Sequence, residues 1–411
     1  MAANKKQYVM GLISGVALMV IVIIAFPRVF SAQQGLVAEP EQSAPYAQSG
    51  GLDLVFIGQK LTDIYDIINR HYIGEFDVEH AIETMFQGFV YGVGDPYTAY
   101  LTAEAFMSFT EDTEGEFFGI GVSVVSDPSD NRIMIIAPIE GSPAFHAGLL
   151  PGDKIIRVDG VEVFGDNLNA AVRMMRGEQF TPVDVTILRE TDGSVFEVTI
   201  IRELIQTQTV RHEILPNNIG YLRISSFDRV TFDQFVVAYE ELLAAGIDGL
   251  ILDVRNNPGG LLSIVNQIAN LIVPEGIITF TEDVRGNRSY ARSDARQIEI
   301  PLVVLVNGNS ASASEVLAGA VRDTGVGELV GTTTFGKGLV QSLFVLPDSS
   351  AVKVTIAHYF TPAGISIHGD GIMPNHYIEM SQELTNNLSR ISQEEDIQLQ
   401  YAIELMQGMI E

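Results

Sequence analysis

The sequence contains no cysteine and no tryptophan. Without cysteine there is no disulfide framework, no thiol nucleophile and no Cys-ligated zinc or iron–sulfur centre. Basic residues are scarce: 24 Lys and Arg stand against 52 Asp and Glu, a net charge of −28. Phosphate binding needs a basic surface, so nucleic acid is excluded as the main partner. None of the seven histidines sits in a recognisable triad context, and no Gly-x-Ser-x-Gly elbow surrounds a serine. Asp127, Asp130 and Asn131 lack the spacing and the glutamate of a calcium loop, so no metal or cofactor is expected.

The chain has 411 residues, 46% of them apolar, enough for two or three globular domains at roughly 150 residues each. Its longest apolar run, Tyr8–Phe26, follows Lys5 and Lys6 and spans 19 residues. That length suits a hydrocarbon core of ~30 Å. Phe30-Ser31-Ala32 is a poor cleavage site, so residues 1–30 read as an uncleaved, single-pass anchor, with secretion after signal cleavage as the alternative. The two lysines place the N-terminus in the cytoplasm and the remaining chain outside it. Residues 31–51 read as a flexible tether.

The pattern beyond the tether predicts an α+β or α/β multidomain chain. Residues 52–116 carry helical periodicity at Leu61, Ile64, Tyr65, Ile67 and Ile68. Residues 117–201 are short β-branched runs, with one helix over Asp166–Arg176. Residues 202–380 alternate strands with helices, including Leu250–Val254, Leu302–Val306 and a helix opened by a Thr231–Gln234 capping box. Residues 381–411 form an amphipathic tail. Residues 52–110 and this tail are expected to pair with a second copy of the chain, because an apolar helix face must be buried somewhere.

Asn309–Glu315 lies between an apolar strand and a helix start. A serine there sits at the positive end of a helix beside unpaired N–H groups, which suits a nucleophile whose attack creates an oxyanion. Ser312-x-x-Glu315 is equally an ordinary capping box, and spacing does not choose among Ser310, Ser312 and Ser314. A lysine can replace histidine as the base. Lys337 stands between Gly336 and Gly338, and Gln341 follows on the same face of a strand. To work as a base at neutral pH, the lysine must fall from about 10.4 to about 7. Gly331–Gly338 resembles a phosphate loop but lacks the Ser or Thr after the lysine. Gly259 and Gly260, after a buried strand, could present free N–H groups or simply turn the chain.

Several segments together resemble one family. They are Gly94-Asp-Pro-Tyr-Thr98, Phe118-Gly-Ile-Gly121, Gly148-Leu-Leu-Pro-Gly-Asp153, Leu252–Gly260, Ser310-Ala-Ser-Ala-Ser-Glu315 and Thr334-Phe-Gly-Lys-Gly338. In this order they resemble the carboxyl-terminal processing proteases, serine peptidases with an inserted PDZ domain. The resemblance implies a small β-barrel-like PDZ domain with a helix and a crotonase-like α/β peptidase core. It implies Ser312 as nucleophile, Lys337 as general base and Gln341 as its orienting partner, with an oxyanion hole at Gly259, Gly260 and Ala313. It implies that protein C-termini bind along Phe118, Gly119, Ile120 and Gly121 and against Leu168, Val172 and Met175. Arg176 is the expected sensor of the substrate tail, with Arg173 as its rival, and the PDZ domain is expected to block the site until a tail arrives. The alternatives are a catalytically silent PDZ scaffold and a crotonase-type acyl-transfer enzyme. Arg176-Gly-Glu-Gln-Phe180, Ile365, His368 and Asn375 depart from the family pattern.

Overall fold

The computed structural model describes residues 51–411 apart from Ala295 and Ser389. The expected anchor and almost all of the tether lie outside the described residues. Among the described residues, no helix is long and apolar enough to cross a membrane. The chain divides into two compact units, one reaching to Ile82 with Ser342–Phe344, the other comprising Glu83–Gln341 and Val345–Glu411.

In the first unit, Asp53 accepts the Phe56 N–H at 2.9 Å and caps the helix Leu54–His71. No residue of this helix is buried, and Leu54, Ile57, Leu61 and Ile64 form an exposed stripe.

The second unit opens with a correction. Residues 52–116 are not wholly helical: Ala99–Leu101 is a strand, paired antiparallel with Lys353–Ala351 of the strand Ala351–Phe360. The pairing is reinforced by the Thr355 N–H, which donates to Thr98 Oγ1 at 3.1 Å. Thr102 then caps the helix Ala103–Glu114.

The PDZ region is an antiparallel sheet of Val122–Asp127, Arg132–Pro138, Lys154–Val158, Pro182–Arg189 and Ser194–Ile201. Ile133, Ile135, Ile155, Val185 and Ile187 face its buried core, beside the helix Leu168–Met175. Glu116–Gly119 pairs with Glu203–Gln206, so the chain enters and leaves this region through a two-stranded ribbon.

The peptidase region is a six-stranded sheet in the order Val210–Leu215, Ile219–Ile224, Gly249–Asp253, Leu302–Val306, Glu328–Gly331, His376–Tyr377. The first pair is antiparallel and the others are parallel. Alternation along each strand divides the core. Leu250, Leu252, Val254, Leu302, Val304 and Val306 pack with the helices Thr231–Ala244, Leu262–Ile272 and Ala313–Thr324. Ile251, Val303, Leu305 and Val330 face the opposite side, where the helix Ile397–Ile410 buries Leu399, Ala402, Ile403 and Met406. The amphipathic tail therefore covers its own sheet, which corrects its expected role in self-association.

The Thr231–Gln234 capping box is also absent. Val230 is the N-cap, Thr231 Oγ1 accepts the Asp228 N–H, and Gln234 Oε1 accepts the Thr209 N–H at 2.9 Å. Both side chains staple neighbouring chain to the helix instead of capping it.

Candidate active site

Gly249–Asp253, Leu302–Val306 and Glu328–Gly331 are adjacent parallel strands, so the loops after them emerge at one edge of the sheet. Those loops carry Asn256–Gly260, Asn307–Ser312 and Thr332–Gly338. The topology thus gathers three motifs that are distant in sequence.

Asparagines stitch the first two loops together. Asn307 Nδ2 donates to Asn256 Oδ1 at 2.8 Å, and Asn256 N–H donates to Asn307 Oδ1 at 3.0 Å. The Ala311 N–H donates to Asn257 O at 3.0 Å. Two of the three candidate serines are consumed by this stitching. Ser310 Oγ donates to Val254 O at 2.8 Å and accepts the Asn307 N–H at 2.9 Å. Ser314 Oγ donates to Asn257 O at 2.9 Å. Ser312 alone donates to no backbone carbonyl among the described residues: its Oγ lies 3.3 Å from Tyr359 Oη. Burial raises the Tyr359 pKa, so that phenol is neutral and able to donate.

Ser312 heads the helix Ala313–Thr324 with φ 56° and ψ −111°, a costly conformation for a residue with a Cβ. Gly259 lies directly against it. A Cβ on Gly259 would come within 2.8 Å of both Ser312 Cβ and Ala311 O, and its φ of +108° favours glycine independently. The Gly259 N–H donates to Asn257 Oδ1 at 2.8 Å and is already engaged. The Gly260 and Ala313 N–H groups donate no hydrogen bond among the described residues.

Lys337 is half-buried, and its Nζ lies 4.9 Å from the centroid of the Tyr97 ring. Desolvation lowers its pKa and repulsion from Lys353 lowers it further, while Glu315 and Asp95 pull it up. Gln341 does not hydrogen-bond Lys337 among the described residues. Its Nε2 approaches Thr355 Oγ1 at 3.5 Å, and the Thr355 side chain hydrogen-bonds Asp95. The expected orienting partner thus reaches the lysine only through Thr355 and Asp95.

Sequence reasoning gave no role to Tyr97 or Tyr359 and saw Glu315 only as a cap. Tyr97 stood inside the Gly94–Thr98 motif, which was the available signal. Tyr359 carried none. Among the described residues, no group of three or more His, Asp or Glu is placed to hold a metal.

The groove beside the PDZ helix is lined by Ile120, Gly121, Val172, Met175 and Arg176 as expected, and also by Phe117, Val122 and Val124. Phe118, Gly119 and Leu168 do not line it. Successive strand residues face opposite sides, so Phe117 and Phe118 cannot share the groove. Arg176 pairs with Glu111 of the helix Ala103–Glu114, and its guanidinium lies 4.3 Å from the Phe117 ring centroid. Arg176 Nε is buried and has no hydrogen-bond partner among the described residues. Arg173 pairs with Glu104 at 2.9 Å, and Arg229 donates to Glu114 at 2.9 Å. One helix thus holds two arginines of the PDZ region and one of the peptidase region.

Residues 134–189 match the PDZ domain, and residues 218–378 match peptidase family S41. The chain is 40% identical over 319 residues to a carboxyl-terminal-processing protease of Synechocystis sp., covering 76% of this chain and 74% of that protein. It is 37% identical over 323 residues to the carboxy-terminal processing protease CtpA of Bacillus subtilis, covering 78% and 69% respectively. Among solved structures, the photosystem II D1 C-terminal processing protease aligns at a TM-score of 0.46 and 30% identity, over 80% of this chain and 89% of that one.

Proposed function

The chain belongs to the carboxyl-terminal-processing proteases, serine peptidases of family S41, and from that premise we propose how its own residues cut a protein. Ser312 Oγ attacks the scissile carbonyl carbon. Lys337, neutral at that moment, accepts the hydroxyl proton and later returns it to the leaving amine. The oxyanion falls to the Gly260 and Ala313 N–H groups, because the Gly259 N–H is held by Asn257. Gln341 tunes the lysine through Thr355 and Asp95. The observation that carries this reading is the state of the three serines: among the described residues only the Ser312 hydroxyl is not donated to a backbone carbonyl, and it adjoins the Ala313 N–H. With Ser312 turned to Tyr359 and Lys337 over Tyr97, the site is at rest.

The PDZ groove takes the substrate's C-terminal tail in this reading, and Arg176 senses the terminal carboxylate. Glu111 holds the arginine, and a terminal carboxylate must compete with it for the guanidinium. An unstructured protein with an amidated C-terminus should therefore be cut much more slowly than the free acid. Glu111→Gln should lower KM for the free acid by about two- to fivefold, the range of a partly exposed ion pair, and leave the amide unchanged. Equal cleavage of acid and amide, followed by mass spectrometry, would defeat tail sensing. An unchanged acid-to-amide ratio in Glu111→Gln would defeat only the competition.

The anchor at residues 1–30 places residues 52–411 outside the cytoplasm, and the bare stripe of Leu54–His71 pairs with a second copy of the chain. A membrane-extracted chain should carry the mass of at least two copies. A monomeric mass at micromolar concentration counts against the pairing.

A further inference from the structure

Glu315 is fully buried, and no basic side chain forms an ion pair with it among the described residues. Each of its carboxylate oxygens accepts two hydrogen bonds. Oε1 takes the Thr334 hydroxyl at 2.6 Å and the Gly336 N–H at 2.6 Å. Oε2 takes the Ser312 N–H at 2.8 Å and the Lys337 N–H at 2.9 Å. Three of these partners are backbone amides, which can only donate. The fourth, the Thr334 hydroxyl, already accepts the Ile372 N–H at 2.7 Å, so its own hydrogen points to Glu315. Four donors on two oxygens leave no place for a proton, and Glu315 is an ionised acceptor.

Burying such a charge without a cation is costly. Four charge-assisted hydrogen bonds offset that cost. A capping box needs only the bond to the Ser312 N–H. The other three reach out of the helix to the segment Thr334–Lys337.

We propose that Glu315 is a positioning residue that fastens the backbone of Ser312 to the backbone of Lys337, so that nucleophile and base are held as one rigid piece. Both amide nitrogens lie within hydrogen-bond reach of the same oxygen. The clamp also holds Ser312 in its unfavourable φ. The inference rests on the Ser312–Lys337 reading and adds to it the device that sets their spacing.

The charged and titratable groups around Lys337 are Glu315 on its helix, Asp95 and Tyr97 in the loop before Thr98, and Lys353 on the strand Ala351–Phe360. Two variants separate positioning from simple capping. Glu315→Gln turns an amide NH2 toward donors and breaks part of the clamp. Thr334→Val leaves the carboxylate and the Ser312 bond intact and loosens the Lys337 end, together with the acceptor of the Ile372 N–H. Both should lower kcat, Glu315→Gln on the order of 10²-fold, the scale set by a misplacement of about 1 Å, with KM within threefold. Glu315→Gln also removes a negative charge beside the lysine, so the ascending limb of its pH–kcat profile should move to lower pH. Thr334→Val should not shift that limb, and Thr334→Ser should restore kcat.

Full kcat in Thr334→Val together with an unmoved limb in Glu315→Gln overturns the clamp. If Glu315→Gln does not fold, the Thr334 pair decides alone: loss with serine rescue supports the clamp, and unchanged kcat overturns it. Activity in Ser312→Ala would sink the parent reading. An inactive Ser312→Ala beside fully active clamp variants would sink only this inference.

Discussion

Ser312→Ala is expected to lower proteolysis by about 10⁴-fold or more with no change in melting temperature. Lys337→Ala should do the same, and the double variant should be no worse than either, because nucleophile and base fail as a unit. Ser310→Ala and Ser314→Ala are the informative controls. Each removes hydrogen bonds that hold loops, at about 1 kcal/mol apiece, so they should cost stability while leaving the chemistry within about tenfold. If one of those two is the dead enzyme, the nucleophile is misassigned. The pH dependence has a defined sign. With Lys337 as the proposed base, kcat should rise with pH, along a limb that burial brings below the ordinary lysine value of about 10.4. Lys353→Met removes a like charge, raises the Lys337 pKa and should move the limb to higher pH. A limb indifferent to Lys353 counts against lysine as the base.

Asp396→Ala should be the most destabilising single change in the peptidase region. Arg255 is buried at 1% exposure and donates to Asp253 Oδ2 at 2.7 Å, to both Asp396 oxygens at 2.7 Å and to Gln398 Oε1 at 3.1 Å. Burial alone would raise the Asp253 pKa, but the adjacent guanidinium and the Tyr221 hydroxyl hold it below the ordinary value. Asp396 also accepts the Leu399 N–H at 3.0 Å and so caps the last helix. Its removal leaves a buried charge short of a partner, at about 3–5 kcal/mol, and loses a cap worth about 1 kcal/mol. Urea denaturation should show both as a lower midpoint, and a shift of under ~1 kcal/mol would count against the buried cluster. Asp253 adds a pH dependence of the same sense as that proposed for catalysis, but in the acid range. Its stabilisation is present above the unfolded value of about 3.9 and is lost as pH falls through the lower folded value. Arg255 immediately precedes Asn256, so activity should fall along with stability.

The parallel sheet was legible because Leu302–Val306 reads as an unbroken apolar run and Leu250–Val254 as one interrupted only by Asp253, and both are covered on both faces. The glycines and serines of the loops after them were legible as a site, and their roles came from the family resemblance. Other features carried no local signal. Ala99–Leu101 is three residues long, and its partner strand lies some 250 positions away. Which of Phe117 and Phe118 faces the groove depends on strand parity, which composition does not encode. The tail read correctly as an amphipathic helix, but periodicity cannot say whether its apolar side meets its own sheet or another chain. The same limit applied to Glu315. Its spacing predicted the bond to Ser312, while its bonds to Gly336 and Lys337 depend on the loop after the neighbouring strand.

The Thr355–Thr98 hydrogen bond joins residues 257 positions apart. Chain entropy opposes such a closure by an amount that grows with the logarithm of the loop, and contacts of this kind slow folding. The edges of the site therefore differ in when they can form. The Ser312 helix start and the Asn256–Gly260 turn arise within a stretch of about sixty residues, on neighbouring parallel strands. Tyr97, the aromatic floor beneath Lys337, arrives only when a strand from before the PDZ region finds its partner behind it. The separation along the chain thus predicts that the surroundings of the proposed nucleophile close before those of the proposed base.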